Sequence, residues 1–139
     1  MVGRRSMGAA TFVCSLVVLA GCASGGGSPS TSTASGARTP CTAVTGAKVT
    51  VVTRNFDYSP NCLTLVGDQL TVVYDNAEKG VEHNFHLVGA TTADGETATN
   101  LKSGPHTESI TYVKLKPGRY TWICDLHPAM RGTLTVTAP

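Results

Sequence analysis

Charged side chains are scarce in this chain of 139 residues, since Asp, Glu, Lys and Arg together make up only 14% of it. Basic residues number 11 and acidic residues nine, and two of the basic ones, Arg4 and Arg5, stand at the very start. The rest of the chain therefore carries nine charges of each sign. A near-neutral domain lacks the basic surface that holds nucleic acid or anionic lipid, so neither is expected as a charge-driven partner.

Other features are missing as well. No window of 11 residues shows the 3.6-residue apolar stripe of an amphipathic helix. The apolar run at residues 9–19 is too short to cross a membrane. No carboxylates are paired in the way that acid–base catalysis requires. These absences argue against a helical protein, a membrane-spanning protein and an acid–base enzyme.

The N-terminal residues are typical of a bacterial secretory signal, with Arg4 and Arg5 ahead of the short apolar run. The sequence Leu19-Ala20-Gly21-Cys22 resembles a lipobox, in which the cysteine is lipidated and becomes the first mature residue. Residues 1–21 are therefore predicted to be a lipoprotein signal peptide. The alternative is a plain signal peptide in which Cys22 is incidental. Residues 22–40 are rich in Gly, Ser and Thr and have too little apolar surface to fold, which predicts a flexible, lipid-anchored linker outside the cell membrane.

Five cysteines occur in the chain. Cys14 leaves with the signal, Cys22 is the predicted lipid site, and Cys124 lies in a ligand-like loop described below. Cys41 and Cys62 remain as a pair, and outside the cytoplasm they are expected to form a disulfide worth roughly 3 kcal/mol. The alternative is two buried free thiols.

Residues 41–139 read as a single all-β domain. Short runs rich in β-branched residues alternate with turn signals. Seven strand-length segments can be counted, at residues 47–53, 63–66, 69–74, 83–88, 108–113, 119–124 and 132–137. This spacing predicts a Greek-key β-sandwich of about seven or eight strands. Residues 90–106 are polar and are expected to form an irregular surface loop, with some helix as the alternative. Trp122 shares a strand face with Cys124 and is expected to lie in the core.

The loop at Cys124-Asp125-Leu126-His127-Pro128-Ala129-Met130 offers a thiolate, an imidazole and a thioether at three-residue spacing. A second histidine added to Cys124, His127 and Met130 completes a trigonal His₂Cys copper site with a weak axial Met. His83 and His86 are both candidates. Three residues separate them, so the alternation of a regular strand puts them on opposite faces and only one can enter the pocket. His106, in the polar loop, is expected to be solvated.

The stretch 118–136 resembles the C-terminal end of cupredoxins, type 1 blue copper proteins, of the plastocyanin/amicyanin group. Its Cys-x-x-His-x-x-Met spacing is that of the short amicyanin loop. The pair His83-Asn84 matches the upstream ligand motif of the same family, and residues 65–70 resemble its Gly-Asp turn. The resemblance implies that one copper ion is bound by His83, Cys124, His127 and Met130, with His86 as a non-ligand.

Four protein ligands of this kind leave no open position for a substrate, so the protein is expected to be a monomeric one-electron carrier and not an enzyme, with redox partners that dock transiently near His127. Asn84 is suited to hold the two ligand loops in register by hydrogen bonds. Three features depart from the family: Glu82 before the first ligand, Asp125 after the cysteine, and the expected Cys41–Cys62 bridge. The Asp125 carboxylate is expected to favour oxidised copper and so to lower the reduction potential.

Two alternative functions fit parts of the sequence. A copper carrier or buffer that delivers copper to an envelope oxidase would use the same tether, although such proteins are expected to be rich in Met and His and only three Met occur here. A structural module that no longer binds copper is the other alternative, which the complete ligand set disfavours.

Overall fold

The structure is a computed structural model that describes residues 40–139. The predictions of a signal peptide, of lipidation at Cys22 and of a flexible linker fall almost wholly on residues 1–39 and lie outside the described residues. Within residues 40–139 every regular element is a β-strand. No helix in this part of the chain is long and apolar enough to cross a membrane.

Eleven strands make up the fold. In chain order they are β1 (Thr42–Ala43), β2 (Lys48–Arg54), β3 (Asp57–Ser59), β4 (Cys62–Val66), β5 (Leu70–Asn76), β6 (Glu82–His83), β7 (His86–Leu87), β8 (Lys102–Ser103), β9 (His106–Tyr112), β10 (Gly118–Ile123) and β11 (Arg131–Thr137). Between β7 and β9 the only named strand is β8, with isolated bridges at Thr92 and Ala98. The predicted irregular loop at 90–106 is therefore largely correct, except that His106 begins β9.

Two sheets form the body of the domain. One has the order β1-β4-β11-β10-β7 and the other the order β3-β2-β5-β9, while β6 and β8 form a separate two-stranded ribbon. Strands distant in sequence lie side by side, as β4 beside β11 and β5 beside β9, so the chain crosses between sheets as a Greek-key sandwich requires. The predicted all-β sandwich is confirmed. The strand count is higher than expected because five strands have only two or three residues, too few to give a period in the sequence.

The core lies between the two sheets. Alternate residues of the long strands point inward, as the burial of Leu70, Val72 and Tyr74 along β5 illustrates. Trp122 is fully buried, as expected, and its ring stacks on Phe85 at a centroid separation of 5.4 Å. Phe85 lies between β6 and β7, and Trp122 lies on β10, so the stack connects the two chain segments that carry the candidate site.

The segment predicted as one strand at 83–88 is instead broken. His83 pairs with Lys102 in the ribbon, whereas His86 and Leu87 pair with β10. The three consecutive residues His83, Asn84 and Phe85 are all buried, which a regular strand does not permit. The prediction that only one of the two histidines enters the site rested on the alternation of a regular strand. That reason was wrong, because the chain changes sheets between His83 and His86.

The disulfide between Cys41 and Cys62 is present and confirms the predicted pairing. It joins residues 21 apart in sequence and connects the chain just before β1 to the first residue of β4. β1 also pairs with β4 in parallel, so the bridge fixes the edge of the five-stranded sheet.

Candidate metal centre

Three ligand atoms from two distant parts of the chain converge at one end of the sandwich. The Sγ atom of Cys124 lies 3.6 Å from Nδ1 of His83 and 3.6 Å from Nδ1 of His127. The two nitrogens are 3.1 Å apart. In residues 40–139 this is the only group of three or more His, Cys, Asp or Glu side chains whose ligand atoms are close enough to share a metal ion.

The size of this triangle fits a metal ion. The centre of the triangle, in the plane of the three atoms, lies about 2.0 Å from each, and points above that plane are farther away; zinc bonds to imidazole nitrogen are roughly 2.0–2.1 Å long and to thiolate roughly 2.3 Å. Two imidazoles and one thiolate in a trigonal arrangement are the donor set of blue copper sites. The donors are therefore arranged as this class of copper site requires.

The ligand loop is folded by its own backbone. Cys124 follows the last residue of β10 and Met130 precedes the first residue of β11. The amide of His127 donates to the carbonyl of Cys124 at 3.2 Å, and the amide of Met130 donates to the carbonyl of His127 at 2.8 Å. Each three-residue step thus closes one turn. Met130 is buried, and its carbonyl accepts the amide of Cys124 at 3.4 Å. Its role as a metal ligand stays a prediction.

His83 is held by a different set of contacts, centred on the buried side chain of Asn76 at the end of β5. Nδ2 of Asn76 donates to the carbonyls of Val81 and Lys102, and Oδ1 of Asn76 accepts a hydrogen bond from the amide of Glu78. Gly104 packs so closely against the backbones of Asn76 and Glu78 that a β-carbon would have no space. The loop before His83 is therefore shaped by residues that the sequence analysis did not single out.

Glu78 contacts the outer nitrogen of the His83 ring. Its Oε2 lies 3.2 Å from Nε2 of His83 and accepts the amide of Phe56 at 3.0 Å. Because Nδ1 of His83 faces the ligand cluster, Nε2 carries the proton and donates to the carboxylate. The hydrogen bond from the Phe56 amide, aided by His83, lowers the pKa of Glu78. Burial in turn lowers the pKa of His83, which keeps the imidazole neutral and able to bind a metal.

Asn84 and Asp125 join the two ligand segments. The amide of Asp125 donates to Oδ1 of Asn84 at 2.9 Å, and Nδ2 of Asn84 donates to Oδ2 of Asp125 at 2.7 Å. These bonds are of the kind expected of Asn84. Nδ1 of His86 lies 2.8 Å from Oδ1 of Asp125, outside the ligand cluster. Burial acts to raise the pKa of Asp125, but its hydrogen bonds to His86 and Asn84 outweigh burial, and the pKa is lowered.

His106 lies away from the cluster, with Nε2 3.4 Å from Oε2 of Glu108.

The rim of the site is apolar and partly open. His83 and Cys124 are fully buried, whereas His127 is partly exposed. Leu126 and Phe56 are each 50% exposed, and the loop residues between His127 and Met130 are exposed as well. Phe56, which no sequence signal marked, places its ring edge-on to both His83 and His127.

The sequence matches the family model of the cupredoxin-like domain over residues 13–136. The chain belongs to the cupredoxin-like family. The family prediction made from the ligand loop is thereby confirmed. The donor set and the family together identify the metal of this cupredoxin as one copper ion.

Two solved auracyanin structures resemble this cupredoxin in fold. Reduced auracyanin from the photosynthetic bacterium Roseiflexus castenholzii is 21% identical, with a TM-score of 0.56 over 66% of this chain and 97% of the auracyanin. Auracyanin B is also 21% identical, with a TM-score of 0.55 over 72% of this chain and 92% of its own. The reduced form of a tryptophan-to-tyrosine mutant of amicyanin is 26% identical, with a TM-score of 0.45 over 68% and 86% of the two chains. Comparison of the sequence with curated proteins finds no match.

Proposed function

We propose that this cupredoxin is a one-electron carrier that works outside the cytoplasm, with one copper ion held by His83, Cys124, His127 and Met130. When bound, copper alternates between Cu(I) and Cu(II) and so accepts and releases a single electron. The observation that carries the proposal is the closed ligand triangle, in which two donors are fully buried and only His127 reaches the surface.

The ligands are held by bonds that do not depend on the metal. The turns at His127 and Met130, the Asn84–Asp125 pair and the Asn76-centred loop fix the two ligand segments from both sides. Side chains held in one arrangement minimise the rearrangement that accompanies a change of oxidation state. This rigidity favours rapid electron transfer.

Electrons are proposed to pass through His127, because it is the exposed ligand. Leu126, Pro128, Ala129 and Phe56 surround it with apolar surface that suits a small, short-lived contact with a redox partner. The alternative, that Leu126 and its neighbours only cap the fold, predicts no effect of charge at this rim.

An enzymatic role has little support. A buried site with three strong protein donors and a predicted fourth leaves no open position for a substrate. The same burial disfavours the alternative role of copper delivery to an envelope oxidase, because metal exchange needs accessible ligands.

The observed disulfide fits an oxidising compartment. We further propose that lipid on Cys22 anchors the domain to the outer face of the membrane, and that it acts as a monomer.

The test uses voltammetry of the copper-loaded protein together with its electron self-exchange rate, measured by NMR on mixtures of the oxidised and reduced forms. We expect a reversible one-electron wave. Leu126→Glu should slow self-exchange, because two rims of like charge repel each other. Val66→Glu, at the other end of the sandwich, should leave the rate unchanged. Absence of a reversible wave would contradict the carrier role, and an unaffected rate in Leu126→Glu would contradict the docking rim.

A further inference from the structure

A single carboxylate oxygen connects a copper ligand to a hairpin that is remote in sequence. Oε2 of Glu78 accepts both Nε2–H of His83 and the amide of Phe56. Phe56 is 22 residues from Glu78 and lies in the turn between β2 and β3. Neither contact is needed to pair the strands, since the hairpin is already closed by Arg54 opposite Asp57.

The backbone of this turn is under strain. Asn55 and Phe56 have φ angles of 54° and 57°, so both adopt the left-handed conformation of a two-residue hairpin turn. Asn tolerates this conformation, and glycine is the usual second residue. A bulky residue such as Phe at φ above zero is an outlier that persists only where other contacts hold it. The hydrogen bond to Glu78 is such a contact.

The strained turn delivers an aromatic ring to both histidine ligands. The centroid of the Phe56 ring lies 5.3 Å from that of His83 at an interplanar angle of 84°, and 5.0 Å from that of His127 at 87°. Edge-to-face packing at these distances is favourable and restrains both imidazoles. With half its surface exposed, the ring packs on the solvent side of both histidines and covers part of His127, which stays partly exposed.

We propose that Glu78 and Phe56 form a positioning clasp, in which the carboxylate fixes the ring of His83 and also holds the hairpin that places Phe56 over both histidines. Neither residue is a metal ligand. The inference rests on the copper site of the proposed function but not on its electron-carrier role. A carboxylate on the outer nitrogen makes the His83 imidazole a stronger donor and adds negative charge, so the clasp should favour Cu(II) over Cu(I).

The carboxylate is tested by measuring the dissociation constants of Cu(I) and Cu(II) separately, by competition with chelators, in wild type and in Glu78→Gln. We expect the variant to shift their ratio toward Cu(I) by about tenfold, equivalent to a rise of about 59 mV in the reduction potential for one electron. Glu82→Gln is the matched control, because it removes the same charge from an exposed residue beside His83 that makes no side-chain hydrogen bond within residues 40–139. Its ratio should move by a small fraction of that amount.

Equal shifts in the two variants, or none in Glu78→Gln, would overturn the role of the carboxylate. A purely structural role would weaken both copper states alike and leave the ratio unchanged. Because chelator competition requires no redox partner, the outcome is independent of whether the protein carries electrons.

The ring is tested with Phe56→Gly, which suits the left-handed backbone and keeps the amide that Glu78 accepts. This variant should fold at least as stably as wild type, and a chelator should extract Cu(II) from it several times faster. Val66→Ala, which trims an exposed apolar side chain far from the site, should leave the extraction rate unchanged. Extraction from Phe56→Gly at the wild-type rate would overturn the role of the ring, and this result can be obtained even if Glu78→Gln fails to fold.

Discussion

Asp125 brings a carboxylate next to Cys124, the proposed thiolate ligand. Both of its oxygens are engaged, one by Nδ2 of Asn84 and the other by His86, and its pKa is lowered. It therefore stays ionised at neutral pH. Its charge is partly screened, since 39% of the side chain is exposed.

Asp125→Asn should raise the reduction potential, because removing a negative charge disfavours the more positive oxidation state of the metal. A shift on the order of 50 mV, about 1 kcal/mol, is expected for a unit charge at this range in a partly screened setting. Voltammetry of the copper-loaded protein measures it. Asp68→Asn is the control, since the turn after Val66 lies beside the last residues of β11, at the opposite end of the sandwich. An unchanged or lower potential in Asp125→Asn would contradict the assignment.

The lowered pKa of Asp125 also predicts a pH dependence for the metal-free protein. A carboxylate whose folded pKa lies below its unfolded value stabilises the fold above the unfolded value, about pH 4, and loses that contribution as pH falls through the folded pKa. Urea unfolding should therefore show a larger stability difference between wild type and Asp125→Asn at pH 7 than at pH 3. A difference that does not change with pH would contradict the lowered pKa.

Among the structural elements, the pairing of β10 with β11 supports the ligand loop directly. Trp122 lies opposite Gly132, and the indole covers the glycine so closely that a β-carbon at position 132 would overlap the ring. Gly132 is thus required by packing and not by its backbone conformation. The contact fixes the two strands that deliver Cys124 and Met130.

Gly132→Ala should destabilise the protein by roughly 1–3 kcal/mol, the range for overpacking a well-filled core. Thermal or urea unfolding of the metal-free protein measures the loss. Thr135→Ala, at an exposed position of the same strand, should change stability by no more than about 0.5 kcal/mol. Equal stability of Gly132→Ala and wild type would show that the indole moves aside without cost.

The disulfide acts on a different element, the edge strand β1. Replacing Cys41 and Cys62 together by Ser should lower the free energy of unfolding by about 3 kcal/mol, from the entropy of the closed loop in the unfolded chain. The copper spectrum of the folded variant should be unchanged, because the bridge is not in contact with the ligands. A loss of the blue band without loss of fold would contradict this separation of stability from chemistry.

The elements also explain which parts of the site the sequence could predict. One loop carries Cys124, His127 and Met130. Their three-residue spacing alone indicates that the backbone makes one turn between each candidate ligand and the next. The choice of His83 over His86 required family resemblance, because the strand that would have separated them is broken after His83. Glu78, Asn76 and Phe56 could not be found, since their contacts with the site come from tertiary folding and carry no local pattern.

At the scale of the whole molecule, chemistry and stability lie in different places. The proposed ligands stand at the ends of β6 and β10 and just before β11, all at one end of the sandwich, while the disulfide secures a sheet edge. The apolar rim around His127 is free of the strand ladders that hold the sheets together. A redox partner of the kind proposed would therefore reach the copper end without disturbing the core.

The central claim is that His83, Cys124 and His127 form a blue copper site in which His86 takes no part. Absorption spectra of the Cu(II)-loaded protein test it most directly, with His83→Ala and His86→Ala measured beside wild type. The account predicts an intense blue band from thiolate-to-copper charge transfer in wild type and in His86→Ala, and its loss in His83→Ala. A colourless copper-loaded wild type, or a band lost in His86→Ala and kept in His83→Ala, would contradict it.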